Sequence, residues 1–265
     1  VHNGNRLRDS FTEPFFSEIG QLTGISETDW SWSVLMADFD NDGWKDIQIT
    51  NGLARDLTNN DFLFFRHGNN IGVADDAGNN NDNKTLRKEL ESYGTIKINN
   101  YFYHNNGDLN FSNTTEAVGM AVPSVSHGAI EVDLDNDGDL DMVMNNMNQE
   151  AFVWKNELRK TIKDSVHNFL TLQLEGIKVN ESGIGAKVTL YADGRVQFLE
   201  QNPVRGYLSA NDSRLHFGIA DVNEIDSLRI AWPDDKMQVL KNIKANQVLQ
   251  IKHSDAVLQL YNDTS

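Results

Sequence analysis

The sequence predicts an all-β fold in two parts, on three observations. An aspartate-rich turn, "DFDNDGWKDI" at residues 38–47, returns nearly unchanged as "DLDNDGDLDM" at residues 133–142. Each copy is flanked by short, β-leaning segments, "SVLMA" and "IQIT" in the first and "GAIEV" and "MVMNN" in the second. From about residue 168 the chain reads as evenly spaced strands, "NFLTLQLEG", "AKVTLYADG", "RVQFLEQ", "LRIAW" and "QVLQIK", broken by Gly, Asn and Asp. Strands of that length and spacing indicate a β-sandwich or a small barrel for residues 168–252. The polar stretch "NELRKTIKDSVH", residues 156–167, reads as a linker or short helix between the two parts.

The bulk numbers narrow the function classes. A chain of 265 residues with 39% hydrophobic content can bury a real core. Its 39 acidic and 23 basic side chains give a net charge of -16, a field that repels nucleic acid and anionic lipid and favours cations or basic partners. There is no cysteine, hence no disulfide framework and no thiolate metal site. No apolar run approaches bilayer-spanning length. The chain opens at Val1 without an initiator methionine, so it reads as a processed or trimmed piece of something longer, and any export signal would have been lost with the missing start.

Residues 1–160 hold an internal repeat, one copy at 15–52 and the second at 101–146. The turns begin at Asp38 and Asp133, 95 residues apart, which is too long for one small β unit. The excess lies in an insert at residues 53–98. It contains the low-complexity run "GNNIGVADDAGNNNDN" and then "KTLRKELESYG", where Leu86, Leu90 and Tyr93 fall at helical spacing.

Carboxylates at this density repel one another unless a cation sits among them. Calcium takes six to eight oxygen ligands and tolerates irregular geometry, whereas magnesium demands a stricter octahedron. Asp38, Asp40 and Asp42 occupy positions 1, 3 and 5 of the first turn, Gly43 allows the bend, Trp44 offers its carbonyl at position 7, and Asp46 follows at position 9. The second turn matches with Asp133, Asp135, Asp137, Gly138, the Asp139 carbonyl and Asp141. An EF-hand begins the same way but needs a bidentate Glu at position 12, where Ile49 and Met144 stand, and its flanks are helices. Asn-Asp-Gly also makes ordinary solvated turns. Recurrence with identical ligand positions weighs against that plainer reading, and places two ions at hairpin tips.

Both turns resemble the calcium loops of FG-GAP/VCBS repeats, the blade units of integrin-α-type β-propellers. The resemblance implies propeller blades over roughly residues 1–155 and carries the eight turn aspartates over as ligands. The pieces "GIGAKV", "RGY", "LHFG" and "WPD" are similar to the ASPIC/UnbV domain found at the C-terminus of VCBS-repeat proteins, acidic secreted cartilage proteins among them. Asp235 departs from the glycine usual there, which implies a different local turn. The family supplies no chemistry for Arg205, Tyr207 or His216; His216 and Trp232 read as packing residues. "TDWSW" and "ITNGLARDLTNNDF" resemble Bacteroidetes members, which implies an exported envelope protein. The expected function is a non-catalytic, calcium-binding, extracytoplasmic module for a protein or glycan partner, with Trp30, Trp32 and Trp44 as candidate contacts. The rival is a polysaccharide-active enzyme or its accessory domain, but no Gly-x-Ser-x-Gly elbow, His-Glu-x-x-His helix or phosphate loop is present.

Overall fold

A computed structural model describes residues 2–8, 11–54, 95–161 and 167–258. The low-complexity run and the helix expected around Leu86, Leu90 and Tyr93 lie outside the described residues. The first part opens with a hairpin of β1 (His2–Arg8) and β2 (Phe11–Phe16), followed by a single turn of helix, α1 (Gly20–Thr23). Then β3 (Ser31–Ala37), β4 (Asp46–Asn51), β5 (Tyr101–Asn105) and β6 (Phe111–Asn113) form a four-stranded antiparallel meander in sequence order. A second meander joins β7 (Ser126–Val132), β8 (Asp141–Asn146) and β9 (Phe152–Trp154).

Alternation explains the outer strand. In β3, Ser33, Leu35 and Ala37 point inward while Val34 and Met36 are exposed, the period of two expected of a half-covered strand. β4 is buried at every position, as a strand covered on both faces must be. The two sheets meet over one cluster, in which Leu35, Ala37 and Phe39 of the first hairpin pack with Phe102, Ala129, Leu140, Met142 and Met144.

The repeat is exact at the level of register. Ser31 pairs with Asn51, the register shifts, and Val34 then pairs with Ile49 and Ala37 with Asp46. Ser126 pairs with Asn146, the register shifts at the same point, and Ala129 pairs with Met144 and Val132 with Asp141. One boundary differs from the sequence reading. Residues 101–113, grouped there with the second copy, belong to the first sheet, because β5 pairs with β4 through Ile47–Tyr103 and Ile49–Tyr101. Burial decides this, since Tyr103 packs with Ile47 and Ile49 in a small cluster of its own. The insert's ends are pinned by backbone pairs between Leu53 and Ile96 and between Ile98 and Ser124.

A short helix, α2 (Leu158–Thr161), follows the second meander, within the stretch expected to be a linker. The second part comprises β10 (Asn168–Glu175), β11 (Lys187–Ala192), β12 (Arg195–Glu200), β13 (Leu215–Ala220), β14 (Glu224–Ala231), β15 (Lys236–Lys244), β16 (Gln247–Lys252) and β17 (Val257–Leu258). They make two sheets, β13-β10-β16 and β12-β11-β14-β15-β17, in which β10 runs antiparallel to β13 and parallel to β16. Inward residues of both sheets, including Leu170, Leu172, Val188, Leu190, Phe217, Leu228 and Ile230, share one core. Each such side chain contributes roughly 1.5–3 kcal/mol by leaving water. Trp232 is a packing residue, as expected: it is buried, its indole N–H donates to Gln238 Oε1 at 3.1 Å, and its ring meets that of His253 edge-on. The second part is thus a sandwich of two open sheets and not a barrel. Among the described residues, none of the five sheets closes on itself.

Candidate metal centres

Each aspartate turn is held by its own carboxylates. Asn41 and Asn136 sit in the left-handed region at φ 60° and 58°, and Gly43 and Gly138 follow at 93° and 92°. Asparagine tolerates that region and glycine is unstrained there, which is why Asn-Asp-Gly bends the chain this sharply. Asp38 Oδ1 accepts the Asp42 N–H at 3.1 Å and its Oδ2 accepts that of Gly43 at 2.8 Å. Asp133 does the same with Asp137 and Gly138, both at 3.2 Å. Asp42 and Asp137 each accept the N–H two residues on, from Trp44 and Asp139. Asp46 Oδ2 reaches back to the Phe39 N–H and Asp141 Oδ2 to that of Leu134.

A third strand completes each centre, and the sequence reading missed it. The Asn105 N–H, at the end of β5, donates to Asp46 Oδ1 at 2.9 Å, and that of Asn156, just after β9, donates to Asp141 Oδ1 at 2.8 Å. The residue before each asparagine faces the turn. His104 Nδ1 lies 3.3 Å from Asp40 Oδ2 and 3.2 Å from Asp46 Oδ1, while the Lys155 ammonium pairs with Asp135. The two segments share an aromatic–basic–Asn pattern, "YHN" and "WKN", but nothing in it marks them as partners of the turns.

The structure brings one ligand atom each from Asp40, Asp42 and His104 within 4.8 Å of one another, and likewise from Asp133, Asp135 and Asp141. Asp38, Asp46 and Asp137 stand beside these groups with oxygens engaged by backbone N–H groups. Asp139 was expected to offer a carbonyl; its side chain has a separate task, bridging Asn41 Nδ2 at 3.3 Å and the Arg159 N–H at 2.8 Å.

Burial pushes Asp38 well above the usual carboxylate range, with the charges of Asp42 and Asp40 adding to it. Burial likewise raises Asp42 and Asp133, and it carries Asp46 and Asp139 to about 6. Asp135 moves the other way, lowered by its hydrogen bond from Lys155. The donor set fits a hard divalent cation: clustered carboxylate oxygens carrying more negative charge than the fold neutralises. Asp137 Oδ2 adds a specific vacancy in the hydrogen bonding, being inaccessible to solvent with no hydrogen-bond donor, its nearest ammonium that of Lys160 at 3.9 Å. The two turns are not equivalent, since an imidazole nitrogen joins the first and an ammonium already occupies part of the second.

Each turn stands at a hairpin end, the first between β3 and β4 and the second between β7 and β8, and both contact the second part. Asn41 is fully buried, its carbonyl accepting the Ala220 N–H at 2.8 Å. Its side chain donates to Gly138 O and Asp139 Oδ1, so its amide oxygen accepts from His216 Nε2 at 2.7 Å. That fixes His216 as the Nε2–H tautomer, with Nδ1 accepting from the Thr171 hydroxyl at 3.1 Å. Desolvation, helped by the charge of Arg214, pushes His216 down to about 3; His216 also lines a cavity of about 50 Å³ between the two parts. Arg214 reaches Asn136 Oδ1 and the Asp133 carbonyl, and Arg195 reaches the Asp42 carbonyl. A methyl group at Gly218 would stand 2.0 Å from Asp38 Oδ2, and one at Gly138 2.1 Å from the Phe169 ring. The "RGY" stretch docks as well: Arg205 pairs with Glu131 at 3.4 Å, and the Tyr207 N–H donates to Ser33 Oγ at 3.0 Å. The Tyr207 ring packs on Trp32, which removes Trp32 from the exposed contacts, whereas Trp30 and Trp44 are about half exposed.

Comparison with known families matches residues 176–258 to ASPIC and UnbV, so an ASPIC/UnbV domain occupies that stretch. No curated protein matches the chain.

The close approach at Gly218 sets one prediction. Gly218→Ala should lower stability by roughly 1–3 kcal/mol through overpacking against Asp38, read as a reduced melting temperature; an unchanged melt contradicts the packing described. His216 sets another. Its folded value lies below its ordinary one, so its contribution is complete above about pH 6.5 and is lost as pH falls toward 3. The wild type should therefore lose stability on acidification faster than His216→Gln, and parallel stability–pH curves for the two proteins would count against the buried neutral imidazole.

Proposed function

We propose that the chain is a non-catalytic, extracytoplasmic module in which the two aspartate turns hold calcium as structural ions, and that it presents its surface to a protein or glycan partner. The observation carrying this reading is the pair of turns related by a 95-residue shift, with the same carboxylates in the same register and several of them displaced upward in pKa by burial. Asp38, Asp40, Asp42, Asp46 and His104 would hold one ion, and Asp133, Asp135, Asp137 and Asp141 the other. A bound calcium ion supplies positive charge where the fold has crowded carboxylates out of water. Asn41 of the first turn then positions the ASPIC/UnbV domain, its side-chain oxygen accepting from His216 and its carbonyl from the Ala220 N–H.

The two meanders accord with blades of the FG-GAP/VCBS type, each an antiparallel sheet in sequence order with an aspartate turn between its first two strands. An extracytoplasmic setting suits the same chemistry, because calcium sites in extracellular modules bind at about 10⁻⁴–10⁻³ M. The exposed indoles of Trp30 and Trp44 are the contacts we assign to a partner. A glycosidase reading draws no support from Asp38 and Asp133, whose oxygens bond the backbone of their own turns.

Melting curves test this. At calcium concentrations about a hundredfold above the dissociation constant, each site adds about 2.7 kcal/mol, so chelation should lower the melting temperature by roughly 5–10 °C, with magnesium restoring little of it. A melt indifferent to chelator would dispose of the calcium reading. Lys155 gives a finer test: Lys155→Met frees Asp135 and should tighten calcium binding at the second turn several-fold by calorimetry. Affinity equal to wild type would mean that the ammonium does not compete there.

A further inference from the structure

Between the two meanders lies a cavity of about 540 Å³, within the range of pockets that hold small organic ligands. Phe39, Phe102, Met120, Met142 and Trp154 make its apolar walls, and the Phe39 and Phe102 rings meet edge-to-face at 5.3 Å. Its charged groups are few. Asp40 and Asp46 stand on one wall with His104 between them, and Glu157 adds a third carboxylate. Lys155 also borders the cavity, but its ammonium is committed to Asp135.

We propose that this cavity binds a small organic cation, an ammonium group carrying an aromatic or branched alkyl body. The apolar walls require a largely apolar body. Three carboxylates against one committed lysine, in a chain of net charge -16, disfavour an acid and favour a cationic head. Aromatic faces beside carboxylates suit an ammonium specifically, since the ring quadrupole attracts a desolvated cation. Because Asp40 and Asp46 also belong to the first aspartate turn, the organic cation and a metal ion there oppose each other, and the linkage is reciprocal.

The test is calorimetric titration of the whole chain with 1-naphthylmethylamine, and with 1-naphthylacetate as a probe of the same body and opposite charge, each in chelator and in excess calcium. In chelator the amine should bind one-to-one and saturably, and the acid at least tenfold more weakly. Ala117 and Val118 are exposed residues on the cavity wall, so Ala117→Trp and Val118→Trp fill the space from outside the core. Either should weaken the amine at least tenfold at an unchanged melting temperature. Equal binding of acid and amine, native affinity in both tryptophan variants, or no saturable binding overturns the site. Calcium that still binds an Asp133→Asn variant, and so fills the first turn, without weakening the amine overturns the use of Asp40 and Asp46. Failure of calcium to bind at all, with amine binding intact, removes the metal reading alone and leaves this one standing.

Discussion

The structure turns on a conflict between burial and charge. Asp38, Asp46, Asp133, Asp139 and Asp141 are all nearly inaccessible, and two of them meet the ASPIC/UnbV domain directly, Asp38 against Gly218 and Asp133 through Arg214. A carboxylate withdrawn from water is costly unless hydrogen bonds or positive charge offset the loss. Backbone N–H groups of the turns supply part of the compensation, which is why the turns adopt their tight, left-handed geometry. Where that supply falls short, as at Asp38 and Asp46, the pKa rises.

Asn41 is the hinge pin of this arrangement. It touches the second turn through Gly138 and Asp139, the domain above through His216 and Ala220, and its own turn through the chain. A residue selected on sequence grounds as a turn former therefore also serves as the contact that holds three segments in one relation. The imidazole opposite it is held neutral by burial, with Arg214 adding to the effect, and its two nitrogens serve one as donor and one as acceptor.

Much of this was legible in the sequence. The aspartate turns announced themselves by spacing, and the second part by its alternating strands and turn residues. The strand partners of the turns were not legible, because "YFYHN" and "FVWKN" carry no ligand spacing of their own; sheet pairing brings them to the turns. The same reason explains why residues 101–113 were grouped with the wrong copy. Proximity in sequence suggested the second repeat, while apolar contact with Ile47 and Ile49 assigned them to the first. The docking roles of "RGY" and "LHFG" were equally hidden, since Gly206 and Gly218 matter for what approaches them from the other part: Ser33 and Asp38.

The pinned ends of the insert carry one more consequence. Leu53 and Ile96 pair directly, and β4 and β5 are neighbours in the meander, so the chain leaves and re-enters the sheet at a single doorway. Loop-closure entropy grows slowly with the length of chain enclosed, by about 0.6 kcal/mol for each doubling. Evolution can therefore lengthen, shorten or replace that stretch while strand order and both acidic turns are preserved, which makes it the natural port for acquiring new surface.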